Sequence, residues 1–263
     1  MSRARLFQIR LALSSALLLM VFSIIRAFWY PGAYYAISGV SKQVWVLVAV
    51  VFVVGPVLST FVYRPGKKGL AMDLRILAGI ELAALTVVAA LLYLRQPYFT
   101  VFAIDRFEAV SRQGVVDFDA ATAKFGTRPG HQPRLIFASL PEDPDRMQAL
   151  IDETVLMGMA DIDRRPEFWA PYASGIAAVK QAARPLADLM GADEERAKAV
   201  GAWLTSSGRS AGAFLYVPLR GKAADAVIVL DAAIGFPVGT IAVDPWLSTP
   251  QDGQPARDIE QTH

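Results

Sequence analysis

The run VWVLVAVVFVVGPVLSTFVY, Val44 to Tyr63, passes directly into RPGKK, Arg64 to Lys68. Its 20 uncharged residues match the roughly 20 helical residues that cross the hydrocarbon core of a bilayer. Two further apolar runs have similar length: Ile9 to Phe28, and Ile76 to Leu94, which reads ILAGIELAALTVVAALLYL. A composition of 54% hydrophobic and 19% charged residues is too apolar for an ordinary soluble chain of this size. Loops rich in cations stay on the cytoplasmic side of a membrane. Arg64, Lys67 and Lys68 therefore read as a topology anchor rather than as a solvated turn.

The orientation follows from where the cations stand. Arg3, Arg5 and Arg10 stand at the start of the first run, and Arg64, Lys67, Lys68 and Arg75 separate the second from the third. In three alternating spans both groups fall on one side, so the N-terminus and RPGKK are expected inside. Trp29 to Gln43 and everything after Arg95 are expected outside, which in a bacterium is the periplasm. The first run is expected to stay as an anchor, because Arg26-Ala-Phe-Trp-Tyr-Pro stands where a signal peptide would carry small residues at a cleavage site. Phe28, Trp29, Tyr30, Tyr34 and Tyr35 read as an aromatic cluster at headgroup level.

Charge divides the chain at the same boundary. Residues 1–95 hold ten Lys or Arg and two acids, whereas residues 96–263 hold sixteen and twenty-two. An acidic soluble part argues against nucleic acid as a partner. With no cysteine there is neither a disulfide framework nor a thiol nucleophile.

Residues 96–247 read as one α+β domain with a mainly antiparallel sheet. Tyr98 to Val110, YFTVFAIDRFEAV, is a strand leaving the third span directly, and Arg134 to Leu140 is a second. Helices are expected over Asp145 to Met159, with Met147, Leu150, Ile151, Val155 and Met159 as its apolar positions, over Ala173 to Met190 with a kink at Pro185, and over Asp193 to Ser206. Three strands follow, within Gly212 to Arg220, Ala226 to Asp231 and Val238 to Val243. Residues 248–263 carry too few apolar side chains to bury and are expected to be disordered.

The third run carries one charge, Glu81, near its start, at the depth of Gly55-Pro56 and Ser59-Thr60 in the second. A carboxyl in hydrocarbon faces protein or becomes protonated. Pro56 cannot donate to the carbonyl of Phe52, so a protonated Glu81 is expected to serve that turn. It acts either as packing glue or in partner binding or proton handling.

No catalytic constellation assembles. GRSAG at Gly208 to Gly212 matches a nucleophile elbow around Ser210, but helix precedes it and strand follows, the reverse of what that turn needs. His131 and His263 are the only histidines to serve as base. Asp117-Phe-Asp119 and Asp161-Ile-Asp163 supply too few oxygens for a hard cation. RPGKKG lacks the spaced glycine and the Ser or Thr of a phosphate loop. The reading is of a non-enzyme with no metal and no cofactor.

Several elements in fixed order carry a resemblance: WYPGAYYAISG, a Gly55-Pro56 second span, Arg64 to Lys68 with Asp73, Glu81 early in the third span, Val101 to Phe107, YVPLRGK at Tyr216 to Lys222, and Asp244-Pro245-Trp246. In these the chain resembles the TfpX/TfpZ family of type IV pilin accessory proteins, over most of its length. The region around Gly126 to Pro133 has no counterpart in that pattern. The resemblance implies a multi-pass inner-membrane protein with its C-terminal domain in the periplasm. Such a protein assists a cognate type IV pilin in stability, availability or assembly, in contact with membrane lipid and with other pilus components. A membrane-anchored periplasmic enzyme or sensor is the alternative. In the family-like strand, Asp105 and Arg106 are expected on opposite faces, unable to pair with each other. Each then bonds a neighbouring loop, or Arg106 meets an acidic group on the pilin.

Overall fold

The computed structural model describes residues 2–64, 68–127 and 132–246. Lys67, both histidines and the tail 248–263 lie outside the described residues. The first apolar run forms α1 (Arg3–Trp29), started by Ser2, whose Oγ accepts from the Arg5 amide at 3.2 Å. A short helix α2 (Tyr34–Ile37) follows in the connection, then α3 (Ser41–Val62) and α4 (Leu70–Arg95). The three long helices are each long and apolar enough to cross a membrane. They meet along Val21, Ile25, Leu47, Val51, Leu85 and Leu92, while Leu13, Leu19, Trp45, Phe61 and Val87 point outward and stay exposed. An apolar outer surface of this kind is suited to lipid.

Pro56 is accommodated differently from the sequence expectation. The helix widens to π geometry over Val53–Leu58, so the lost donor and the bulk of the ring are absorbed by the backbone itself. The Thr60 hydroxyl then donates to the Pro56 carbonyl at 2.7 Å.

Strand β1 (Pro97–Ala103) begins two residues beyond α4, and β2 (Arg106–Ser111) returns antiparallel to it. The expected single strand is therefore a hairpin, turned at Ile104 and Asp105. The Asp105 amide donates to the Ala103 carbonyl at 2.7 Å, and Ile104 holds φ +62°. A β-branched residue rarely adopts that conformation, which costs about 1–2 kcal/mol. The side chain recovers little by burial, since it is 63% exposed. Ile104→Asn, a residue that tolerates positive φ, should raise the unfolding midpoint by a few degrees in a thermal melt; a lowered midpoint would contradict this strain.

Beyond the hairpin come α5 (Phe118–Phe125), β3 (Arg134–Ala138), α6 (Pro144–Ile151), β4 (Trp169–Pro171), α7 (Ile176–Ala182), β5 (Arg184–Pro185), α8 (Leu186–Met190) and α9 (Glu194–Ser207). The chain closes with β6 (Phe214–Arg220), β7 (Asp225–Asp231) and β8 (Pro237–Ile241). Pro185 does not kink a long helix. It lies in the two-residue strand β5, between α7 and α8, paired antiparallel to β6. The sheet runs β4-β3-β1-β2-β6-β7-β8, antiparallel except for β1 with β3 and β2 with β6.

Alternation divides the apolar residues between two faces. Phe99 and Val101 of β1 pack with Phe125, Ile136, Ile162 and Trp169 on one side. Val227 and Val229 continue that face under α8 and α9. Phe102, Phe107, Val217, Leu219 and Ile228 face the other way, where they meet Tyr172, Val179 and the connection residues Ala33, Tyr34 and Ile37. Leu150 of α6 is buried, but Ile151 and, beyond the end of α6, Val155 and Met159 are exposed, so that apolar stripe does not face the core.

Candidate functional site

Two polar assemblies stand out, one among the long helices and one at a corner of the sheet. In the first, Ser14 of α1 donates from Oγ to Glu81 Oε1 of α4 at 2.9 Å, and both residues are buried. Gly55 of α3 lies against the pair: a Cβ there would meet Ser14 Oγ and stand 2.7 Å from Glu81 Oε1. Glu81 thus turns to Ser14 rather than to the carbonyl of Phe52. Buried Ser59 lies in the adjacent turn, with its hydroxyl unpaired. One carboxyl, one hydroxyl and one missing side chain bring all three helices together at a single level, a packing solution that small and polar residues make available in hydrocarbon. Arg64 follows the end of α3, and Lys68 precedes α4.

The aromatic connection after α1 does more than stand at an interface. Tyr30 is fully buried and donates from its hydroxyl to the Leu92 carbonyl at 2.7 Å, while Tyr34 Oη lies 2.7 Å from Thr100 Oγ1 in β1. The Ala33 amide donates to Thr240 Oγ1 at 2.9 Å in β8, and the Ala223 amide to the Ile37 carbonyl at 2.8 Å. This connection ties the helices to both halves of the sheet.

The second assembly gathers Asp105, Arg106, Asp225 and Trp246. Arg106 and Asp105 do pair, Nε donating to Oδ1 at 2.8 Å, because Asp105 occupies the turn and is free of strand alternation. The Arg106 guanidinium also lies over the Trp246 ring, 5.4 Å from its centroid. Trp246 Nε1 donates to Asp225 Oδ2 at 2.7 Å, and the other oxygen of Asp225 accepts from the Gly221 amide at 3.2 Å. Arg196 holds the same segment, donating to the carbonyls of Asp244 at 2.8 Å and Trp246 at 3.1 Å. Sequence reasoning missed Asp225 and Arg196; neither belongs to a motif, and only the fold brings them here.

Two strand positions inward, Glu108 faces Arg220 at 4.0 Å. Burial, with Asp163 nearby, raises the Glu108 carboxyl to about 7, outweighing the attraction of Arg220 and Arg106. A carboxyl whose pKa is higher folded than unfolded loses its contribution to stability as pH rises toward that value. The wild type should therefore lose stability relative to Glu108→Gln between about pH 5 and 7 and run parallel to it above about pH 8, by thermal melts across that range. Curves that stay parallel throughout would place Glu108 in water.

The remaining sequence candidates have local duties. Asp117 caps α5 at 2.8 Å, Asp161 accepts from the Ile162 amide at 2.7 Å, and Asp163 pairs with Arg164 at 3.4 Å. Ser210 is exposed in the turn between α9 and β6. A cleft of about 640 Å³ opens on the sheet among Tyr34, Leu135, Tyr172, Ile228 and Phe236. Two of its polar groups are committed to the fold: Tyr172 donates to the Gly235 carbonyl at 2.6 Å, and Lys124 to the Trp169 carbonyl at 2.8 Å. Burial pushes the Tyr172 hydroxyl well above its usual range.

Two relatives share this chain's sequence at low identity. It is 26% identical over 190 residues to a protein of Dichelobacter nodosus named fimbrial assembly protein, serogroup I, covering 70% of this chain and 72% of that one. It is 27% identical over the same length and shares to the serogroup E1 fimbrial assembly protein of that organism. The chain matches no protein-family model. No solved structure matches it.

Proposed function

We propose that this protein is a multi-pass accessory factor of the bacterial inner membrane that binds a type IV pilin and tunes its stability, availability or assembly into pili. The relatives named fimbrial assembly proteins support a role in pilus assembly. The finer reading rests on one observation: Asp105-Arg106, Gly221 and Asp244-Pro245-Trp246, far apart in sequence and all in the TfpX/TfpZ-like pattern, converge at one corner. The cation pattern favours the orientation with this domain in the periplasm and Arg64, Lys67 and Lys68 in the cytoplasm. A pilin before assembly carries one apolar helix and a periplasmic head, so a partner for it needs both apolar helices and an extracytoplasmic domain. The role is one of contact rather than catalysis.

Arg106 is the residue to test. Its side chain is 32% exposed, and Asp105 accepts from Nε at 2.8 Å and from Nη2 at 3.5 Å, leaving Nη1 for a partner. Arg106→Ala should keep normal abundance and protease resistance while pilin capture falls about tenfold, the loss of one interface arginine. A scarce, protease-sensitive variant would assign Arg106 to the fold alone. Normal capture and normal piliation would remove it from both roles.

A further inference from the structure

The segment from α6 onward spends its apolar residues on solvent. Val155, Leu156 and Met157 are 73%, 77% and 71% exposed, with Ile151 and Met159 exposed on either side. Single exposed apolar residues are ordinary, but a run of them on an extramembrane domain marks an interaction surface. Met adapts to irregular partner surfaces and is used at such sites. The backbone here is ordered into a π turn over Asp152–Leu156, anchored by Glu153 to Arg165 at 2.6 Å, so the apolar group is presented and not merely uncovered.

Charge decides what can cover it. Residues 139–161 carry six acids and one arginine. Glu142, Asp145 and Asp152 have no cationic partner among the described residues, and the Asp152 carboxylate accepts from Gln148 at 2.9 Å. A helix that lies on a bilayer carries Lys and Arg on its polar side, the opposite of this pattern. We propose that Ile151 to Met159 is the docking face for a protein partner that presents an apolar patch bordered by Lys or Arg. This stands on the surface itself and does not depend on the pilin assignment.

The test places a photo-crosslinking amino acid at Leu156 in the full-length chain in its native membrane, with Ile234, exposed on the β7–β8 turn, as control. The expected result is a protein adduct from Leu156 and not from Ile234, whose mapped contact includes Lys or Arg among apolar residues. Asp145→Asn with Asp152→Asn should lower its yield about fivefold, as for two rim charges. Leu156→Ser with Met157→Ser should abolish the same adduct from a probe at Val155 while moving the melting midpoint by no more than about 2 °C. Adducts with lipid alone, adducts with a second copy of this chain, a protein adduct indifferent to the acid substitutions, or no adduct would each overturn the proposal.

Discussion

Gly55→Val is expected to break the junction of the three long helices. Its Cβ would fall 2.7 Å from Glu81 Oε1 and within contact of Ser14 Oγ, and the added methyls would reach further into the same space. The carboxyl cannot swing to solvent, because Glu81 is only 6% exposed. Overpacking costs about 1–3 kcal/mol and an orphaned buried polar group a further 1–3 kcal/mol, which together approach the whole stability of a small domain. The measurement is a melting midpoint of the purified chain in mild detergent, alongside Gly79→Val, where a Cβ meets nothing within 4 Å. A Gly55 variant as stable as the Gly79 control would mean the helices do not meet as described.

The second large effect is expected outside the helices. At Gly221 a Cβ would stand 2.5 Å from the Ala224 carbonyl oxygen and 2.6 Å from that of Ile37, and backbone cannot rotate away as a side chain can. Gly221→Ala should push the connection off the sheet. The fully buried Ile37 would forfeit about 1.5–3 kcal/mol of burial, and the bond from the Ala223 amide about 1 kcal/mol more. Hydrogen exchange reads the loss directly: the Ala223 amide, bonded to Ile37 at 2.8 Å, should exchange slowly in the wild type and rapidly in the variant. Gly212→Ala, with open space around it, should leave that amide protected. Equal protection in all three would separate the connection from the sheet.

Much of the architecture was legible because its signals are local. Length and apolarity mark the three helices, and β-branched and aromatic runs mark β1, β3, β6 and β7. What was not legible depends on partners distant in sequence. YFTVFAIDRFEAV lacks the Gly or Asn that announces a hairpin, and Ile104 instead adopts the strained conformation itself. Asp105 and Arg106 were consequently set on opposite faces of one strand, though the turn lets them pair. Glu81 was recognisable as a buried acid, but Ser14 sits in an ordinary LALSSALLL run, and nothing in that run points across to α4. Tyr34 reads as part of an interfacial belt because the sheet that buries it begins some sixty residues later. The stripe through Ile151, Val155 and Met159 has helical spacing, which tells that one face is apolar and not whether the core receives it.

For the proposal that this protein acts by holding a pilin, the most direct measurement is its capture from native membranes in mild detergent. The bound proteins are then identified and quantified for the wild type and for Gly221→Ala. The account predicts a pilin as the dominant partner of the wild type, and its loss when the connection is pushed off the sheet. Capture of the intact, folded protein with no pilin above the level of an unrelated membrane protein would contradict it.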